Sequence, residues 1–288
     1  MTVQRAFTLV ELLVSISIIG ILLAIALPAV QHVRESSRRQ HCANNIRQIA
    51  LAALNYESAN QRLPVGCHGP DGKEYVTWLA ELLPYIEQSA MYAESQRAFK
   101  LGISPFLQRL HQTPVPLFGC PTDGRSGLPQ WTHGPKLVAL TSYVGVSGID
   151  RVTQDGVLIY GKAIRLSEIV DGISHTLMAG ERPASSDNWY GWWYAGVGQW
   201  GDGNCESIMG VCESNLLGQY TADCPVGPYR YSDGQFDEMC DMFHFWSPHP
   251  GGANFAFCDG STRFIRYEAA EQVAFMATRD GREPAADR

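Results

Sequence analysis

The stretch "RAFTLVELLVSISIIGILLAIALPAV", residues 5–30, constrains this chain more than any other. From Phe7 to Leu27 about 21 residues carry a single charge, and at ~1.5 Å per helical residue they reach ~30 Å, the thickness of a bilayer core. A water-soluble core does not require such a run. The one charge is Glu11, a short way in. A carboxylate in hydrocarbon costs a few kcal/mol on insertion scales, so it usually has a partner and a purpose.

Three readings compete for the segment. A plain signal anchor has no use for Glu11. A cleavable secretory signal would be cut near Ala24-Ile25-Ala26, which has the small residues such a site needs, and it has no use for Glu11 either. A leader cut after Ala6 would free the amine of Phe7 at the start of an apolar helix. That cation also needs a partner in lipid, and Glu11 lies within reach, on the same chain or on a neighbour. Pro28 is expected to kink the helix near the bilayer exit.

The motif "RAFTLVELL" resembles the cleavage and methylation motif of type IV prepilins and type II secretion pseudopilins. The basic residue before the cut is Arg5, the small residue Ala6, the new terminus Phe7 and the acid Glu11. Most such leaders have Gly where this chain has Ala6, and its leader is short. The resemblance implies a membrane prepilin peptidase as partner, with self or other pilin-like subunits as further partners. It also implies a single pass through the inner membrane and a head exported to the periplasm or cell exterior.

Beyond the apolar run, Ile46, Ile49, Ala50, Ala53 and Leu54 repeat at helical spacing, as one face of an amphipathic stem. Leu63-Pro64-Val65-Gly66 ends the pattern. The expected order is a leader at 1–6, a transmembrane helix at 7–28, a stem at 29–62 and a globular α+β head at 63–288. Trp78, Leu79, Leu82, Leu83 and Ile86 predict helix that breaks at Pro84. From residue 114 onward Gly, Pro and short β-branched or aromatic runs predict antiparallel strands, clearest in "SYVGVSG", "GVLIYG" and "NFAFCDGSTRFI". "LSEIVDGISHTLMAGE" is expected to open as a helix near Ser167, turn at Asp171-Gly172 and end as a strand at Glu181, a buried partner.

"QHCANNIRQIALAALNYE" resembles the segment after the anchor in the bacterial family called domain of unknown function 1559. Further matches follow in order: "FGCPTD", "SYVGVSG", "LSEIVDGISHTLMAGER" and "HPGGANFAFCDGSTRFI". Members are prepilin-like proteins, so the resemblance implies a pilin-like fold without assigning a biochemical role.

The final signature runs from His249 to Asp259-Gly260. Asp-Gly between alternating runs predicts a two-residue hairpin loop. That register would pair Phe257 with Thr262 and Phe255 with Phe264, putting Phe255, Phe257 and Phe264 on one face. His249 and Asp259 are a candidate pair, though the turn alone accounts for Asp259. His244 nearby is another imidazole.

Residues 188–245 form a Trp- and Cys-rich insert. Trp189, Trp192, Trp193 and Trp200 either pack a core or present a face that stacks on a ligand. The eight cysteines suit an exported, disulfide-bearing head. An even number allows complete pairing, and Cys205, Cys212, Cys224 and Cys240 are candidates to staple a long loop. No zinc-ribbon spacing is present. Asp202, Asp233, Asp237, Glu238 and Asp241 make calcium conceivable, without the spacing of a known loop. Neither calcium nor zinc is assigned. The net charge of −7 disfavours nucleic acid; Arg34, Arg38 and Arg39 suit a membrane-proximal surface instead.

Motifs for nucleophilic hydrolysis, phosphate loops, zinc proteases and dinucleotides are missing. The chain is therefore expected to be a structural, assembly-competent envelope protein and not an enzyme. The competing expectation is an envelope-tethered protein that binds a glycan or solute.

Overall fold

The computed structural model describes residues 9–70, 73–216 and 224–281. Two compact units divide between Gln40 and His41. The first helix, α1 (Leu9–Asn60), has residues in both, and Pro28 lies inside it.

In the first unit every described side chain through Arg34 is exposed, including Leu9 at 75% and Ile25 at 68%. This part of α1 is long and apolar enough to cross a membrane, with none of its most apolar window buried by the protein. Its two hydroxyls turn inward. Ser15 Oγ donates to the Glu11 carbonyl at 2.7 Å and Ser17 Oγ to the Leu13 carbonyl at 2.8 Å, so neither competes with an apolar surrounding.

The second unit takes the rest of α1 as a core element. Cys42, Asn45, Ile46, Ile49, Ala50, Ala52 and Ala53 are buried, a stripe with the three-and-four spacing of one helix face. Two further helices follow, α2 (Trp78–Glu81) and α3 (Ser89–Lys100). Between them Pro84 sits in the first turn of a 3-10 segment, Leu83–Ile86. There its missing N–H costs nothing.

The central sheet has five strands: β1 (Tyr143–Gly148), β2 (Leu177–Glu181), β3 (Ile208–Gly210), β4 (Gly252–Phe257) and β5 (Thr262–Arg266). Their order is β5-β4-β2-β1-β3. All pairs are antiparallel except β1 with β3. The fold is thus α+β, with an antiparallel-rich head.

Both faces of the sheet are covered. Tyr143, Ala179, Ala256 and Cys258 join the α1 stripe and Trp78 in one core. Val144, Val146, Leu177, Phe255 and Phe257 face a second core with Phe243, Phe245 and α4 (Ala270–Ala277). Along β1 and β4 alternation sends neighbours such as Tyr143 and Val144, or Phe255 and Ala256, to opposite cores. Burying each large aliphatic side chain contributes roughly 2 kcal/mol.

Four expectations need correction. The hairpin register is offset by one residue: Phe255 faces Arg263, and Phe264 faces Asn254. The Gly260 N–H donates to the Phe257 carbonyl at 2.9 Å, and the Phe257 N–H to the Ser261 carbonyl at 2.9 Å. With Gly260 at φ 82°, this is a longer loop with a left-handed residue after the turn. Phe264 therefore leaves the Phe255–Phe257 face, and Ile265 takes its place opposite Ala253. The helix expected near Ser167 is one 3-10 turn, Leu166–Glu168: Glu168 caps its start, but the backbone leaves helical geometry at Ile169 (φ −91°, ψ 90°) and the Val170 N–H donates to the Arg279 carbonyl at 2.7 Å instead. In "GVLIYG" only Leu158–Ile159 is strand.

The fourth concerns cysteine. The expected staple of the insert forms between Cys224 and Cys240, and a second disulfide joins Cys42 to Cys120, but pairing is not complete, since Cys67, Cys205, Cys212 and Cys258 are thiols. Burial raises the pKa of Cys205 well above its ordinary value and also raises that of Cys258. Both are inert apolar side chains at neutral pH.

Candidate functional site

Glu11 stands in the first turn of α1 on an otherwise apolar segment. Ala6 and Phe7, the expected cleavage and methylation positions, lie outside the described residues.

A second candidate site lies inside the head. His249, on the loop before β4, is buried. Its Nε2 lies 3.5 Å from Cys120 Sγ and 3.7 Å from Glu181 Oε1. Cys42 completes the group, and ligand atoms of all four residues lie within 4.8 Å of one another. Among the described residues, no other group of three or more His, Cys, Asp or Glu side chains converges in this way.

Each member is held by its own element. Cys42 comes from the stripe of α1, and its carbonyl accepts from the Tyr143 hydroxyl at 3.2 Å. The Cys120 N–H donates to Ser142 Oγ at 3.0 Å, and Asn45 Nδ2 donates to the neighbouring Gly119 carbonyl at 3.0 Å. Glu181 ends β2, and its Oε2 accepts from the Asn254 backbone N–H at 2.6 Å and from Asn254 Nδ2 at 3.1 Å. Ser247 Oγ accepts from the His249 N–H at 3.1 Å and donates to the Gly252 carbonyl at 2.7 Å, fixing the His249 loop. A buried carboxylate beside a buried imidazole can share a proton, and the two sulfurs, bonded to each other here, become cation ligands only as thiolates.

Asp259 takes no part. It is exposed at the hairpin tip, where Oδ1 accepts from the Ser261 N–H at 2.8 Å. Gly260 serves the turn. His244 lies apart too, with Nε2 3.0 Å from Asp241 Oδ1. The pairing of His249 with Asp259 is thus replaced by a pairing with Glu181, a residue singled out in the sequence only as a buried partner. Cys42 and Cys120 stand in the matched stretches "QHCANNIRQIALAALNYE" and "FGCPTD", but their closeness to each other and to His249 exists only after folding.

The tryptophans divide. Trp193 is 0% exposed and Trp192 is also buried; their Nε1 atoms donate to the Thr113 and Asn188 carbonyls, both at 2.9 Å. Neither is available to stack on a ligand, which corrects the four-residue stacking face. Trp189 is half-buried with Lys136 Nζ 5.4 Å from its ring, and Trp200 is exposed with the Arg151 guanidinium 5.7 Å away. The acidic residues of the insert do not converge: Asp202 pairs with Arg151, while Asp233, Asp237 and Glu238 are exposed.

One charged group escaped the sequence altogether. Glu81 Oε1 lies 3.2 Å from His68 Nε2 and 3.0 Å from Lys73 Nζ, and Oε2 accepts from the Tyr56 hydroxyl at 2.6 Å. Burial pushes the Glu81 carboxyl up, but His68, Lys73 and Tyr56 together outweigh it and hold it at about 2.

A long apolar N-terminal helix followed by an antiparallel-rich head, with a methylation motif at the start, defines a pilin-like protein. The prokaryotic N-terminal methylation motif matches residues 1–27. The chain belongs to the family described as Protein of unknown function (DUF1559), whose model matches residues 31–272. No curated protein and no solved structure matches it.

Proposed function

We propose that this chain is a prepilin-type structural subunit of the bacterial cell envelope, cut after Ala6 by a prepilin peptidase and methylated at Phe7. Its apolar helix anchors it in the inner membrane by a single pass, with the head outside the cytoplasm. It acts through assembly with copies of itself or with other pilin-like subunits, in a pilus or a secretion pseudopilus, and performs no catalysis. The observation that carries this reading is Glu11, an acid inside an apolar run that matches the methylation motif. Two disulfides support an oxidising compartment for the head. The competing reading, a tethered glycan- or solute-binding protein, is weakened by the burial of Trp192 and Trp193.

Mass spectrometry of the N-terminal peptide from native membranes tests the proposal. A chain beginning at N-methylated Phe7 is expected. A start at Met1 would leave an uncleaved anchor, and a start at Leu27 a released protein; either defeats the reading. Glu11→Val is expected to be processed normally and to fail in assembly, read by crosslinking in the membrane. Crosslinked species at the level of the unaltered chain would count against the assembly role.

A further inference from the structure

The cluster around His249 offers two soft ligands, one imidazole and one carboxylate, from four separate segments of the head. We propose that, when the Cys42–Cys120 bond is reduced, Cys42 Sγ, Cys120 Sγ, His249 Nε2 and Glu181 Oε1 bind one zinc ion. The pocket then has two exclusive states, disulfide or metal.

The argument is geometric. With bonds of about 2.3 Å to sulfur and about 2.0 Å to nitrogen or oxygen, a tetrahedral zinc site has sulfur–nitrogen edges of about 3.5 Å and nitrogen–oxygen edges of about 3.3 Å. The Cys120 Sγ to His249 Nε2 separation is 3.5 Å, and His249 Nε2 to Glu181 Oε1 is 3.7 Å. The sulfur–sulfur edge, about 3.8 Å by the same arithmetic, must open, while the remaining edges start from separations within 4.8 Å. Breaking the disulfide opens it.

Charge is consistent with a dication. Two thiolates and the Glu181 carboxylate would surround the metal, leaving one net negative charge. Asn254 already donates twice to the other carboxylate oxygen, the kind of outer support that orients a ligand. Binding through Nε2 leaves the ring proton of His249 on Nδ1.

The conversion balances. A dithiol gives two electrons to the disulfide and becomes a disulfide itself, leaving two thiols on the chain. Zinc displaces both thiol protons as it binds. Oxidation reverses this: the two thiolates lose two electrons to the oxidant, the sulfur–sulfur bond re-forms, and the metal leaves. The inference does not depend on assembly, since all four ligands belong to one head.

The test uses the full chain in detergent, with cobalt(II) as the spectroscopic probe. Protein purified under a phosphine reductant should bind one cobalt, with tetrahedral bands in the visible and thiolate-to-cobalt charge transfer in the near ultraviolet. The air-oxidised chain should show neither. Diamide added to the zinc-loaded chain should release the metal to a chromogenic chelator. The double variant Cys42→Ser with Cys120→Ser, which removes both thiolates of the cluster, should abolish the charge-transfer band of this site, and His249→Ala should weaken binding by at least about tenfold. Cys212→Ser, outside the cluster, should change nothing. Circular dichroism of the reduced chain, compared with that of the oxidised chain, checks that the head stays folded once both disulfides are open. A folded reduced chain without thiolate bands, a band of full strength in the double variant, or no metal release on oxidation would overturn the proposal.

Discussion

Residues 9–34 and residues 41–60 lie on the same helix and bury their side chains by different rules. In the first stretch every side chain is exposed and most are aliphatic. In the second, apolar residues keep to one face, and that face is covered by the sheet of its own head. A helix apolar all round asks its surroundings to be apolar, as lipid or packed neighbouring helices are. A helix with one apolar stripe asks only for a core. Secondary structure is common to both; the periodicity of hydropathy tells them apart.

The largest effects come from placing charge in each stretch. Ile46→Lys buries an ammonium in the core and is expected to cost on the order of 5 kcal/mol, unfolding the head. It should leave the chain in the membrane fraction. The double variant Ile18→Lys with Leu22→Lys should do the opposite. Each lysine at mid-membrane costs about 3 kcal/mol on insertion scales, so the chain should become extractable by alkali while the head melts as before. Loss of head stability in the double variant would refute the division of labour along α1.

The disulfides sharpen the contrast between stem and insert. Cys42–Cys120 joins α1 to the head across 78 residues, whereas Cys224–Cys240 spans 16 residues of the insert. Loop-closure entropy alone gives about 4.5 kcal/mol for the first and about 3 kcal/mol for the second. Replacing both cysteines of each pair by alanine, followed by urea melts under oxidising conditions, should preserve that order. Equal losses would mean that the stem is held by packing alone.

Glu81 tests the same boundary through pH. Its folded pKa of about 2 lies below its ordinary 4.5. The stability it contributes is therefore full above about 4.5 and is lost as pH falls from there through 2. Glu81→Gln leaves His68 and Lys73 without their shared carboxylate and should cost about 3 kcal/mol at neutral pH. The gap between variant and parent should close on acidification. A gap that widened below pH 4 would reverse the assigned sign.

What could be read in advance follows how local each signal is. The anchor needs only neighbouring residues, so hydropathy and Glu11 were sufficient. The stripe from Ile46 to Leu54 and the strands at Tyr143 and Asn254 are periodic, and period survives without tertiary knowledge. The hairpin register was missed because Asp-Gly fits more than one loop length, and a one-residue change turns Phe264 to the other face. The cluster at His249 was missed for a different reason. Its partners stand on α1, a loop and β2, and nothing in the spacing of Cys42, Cys120 and Glu181 marks them as a set. Trp192 and Trp193 show the converse: composition flags an aromatic stretch but does not say which side of the surface it occupies.

The smallest effect concerns the missed hairpin. Gly260 and Gly251 both have positive φ, 82° and 85°, so an alanine at either pays the left-handed penalty of about 1 kcal/mol. They differ in what a Cβ would meet. At Gly251 nothing lies within 4 Å, whereas at Gly260 the added carbon would stand 3.1 Å from Leu54 Cδ1 and 3.3 Å from Leu51 Cδ2. Both leucines are on α1, within the head unit. Gly260→Ala should therefore cost more than Gly251→Ala, by about 1 kcal/mol if the leucines yield only partly. Combining Gly260→Ala with Leu54→Ala should remove most of the excess, measured as a double-mutant cycle in urea. Equal costs for the two glycines would show that the hairpin tip yields freely beside α1, and that the stem is gripped by the sheet face and the disulfide alone.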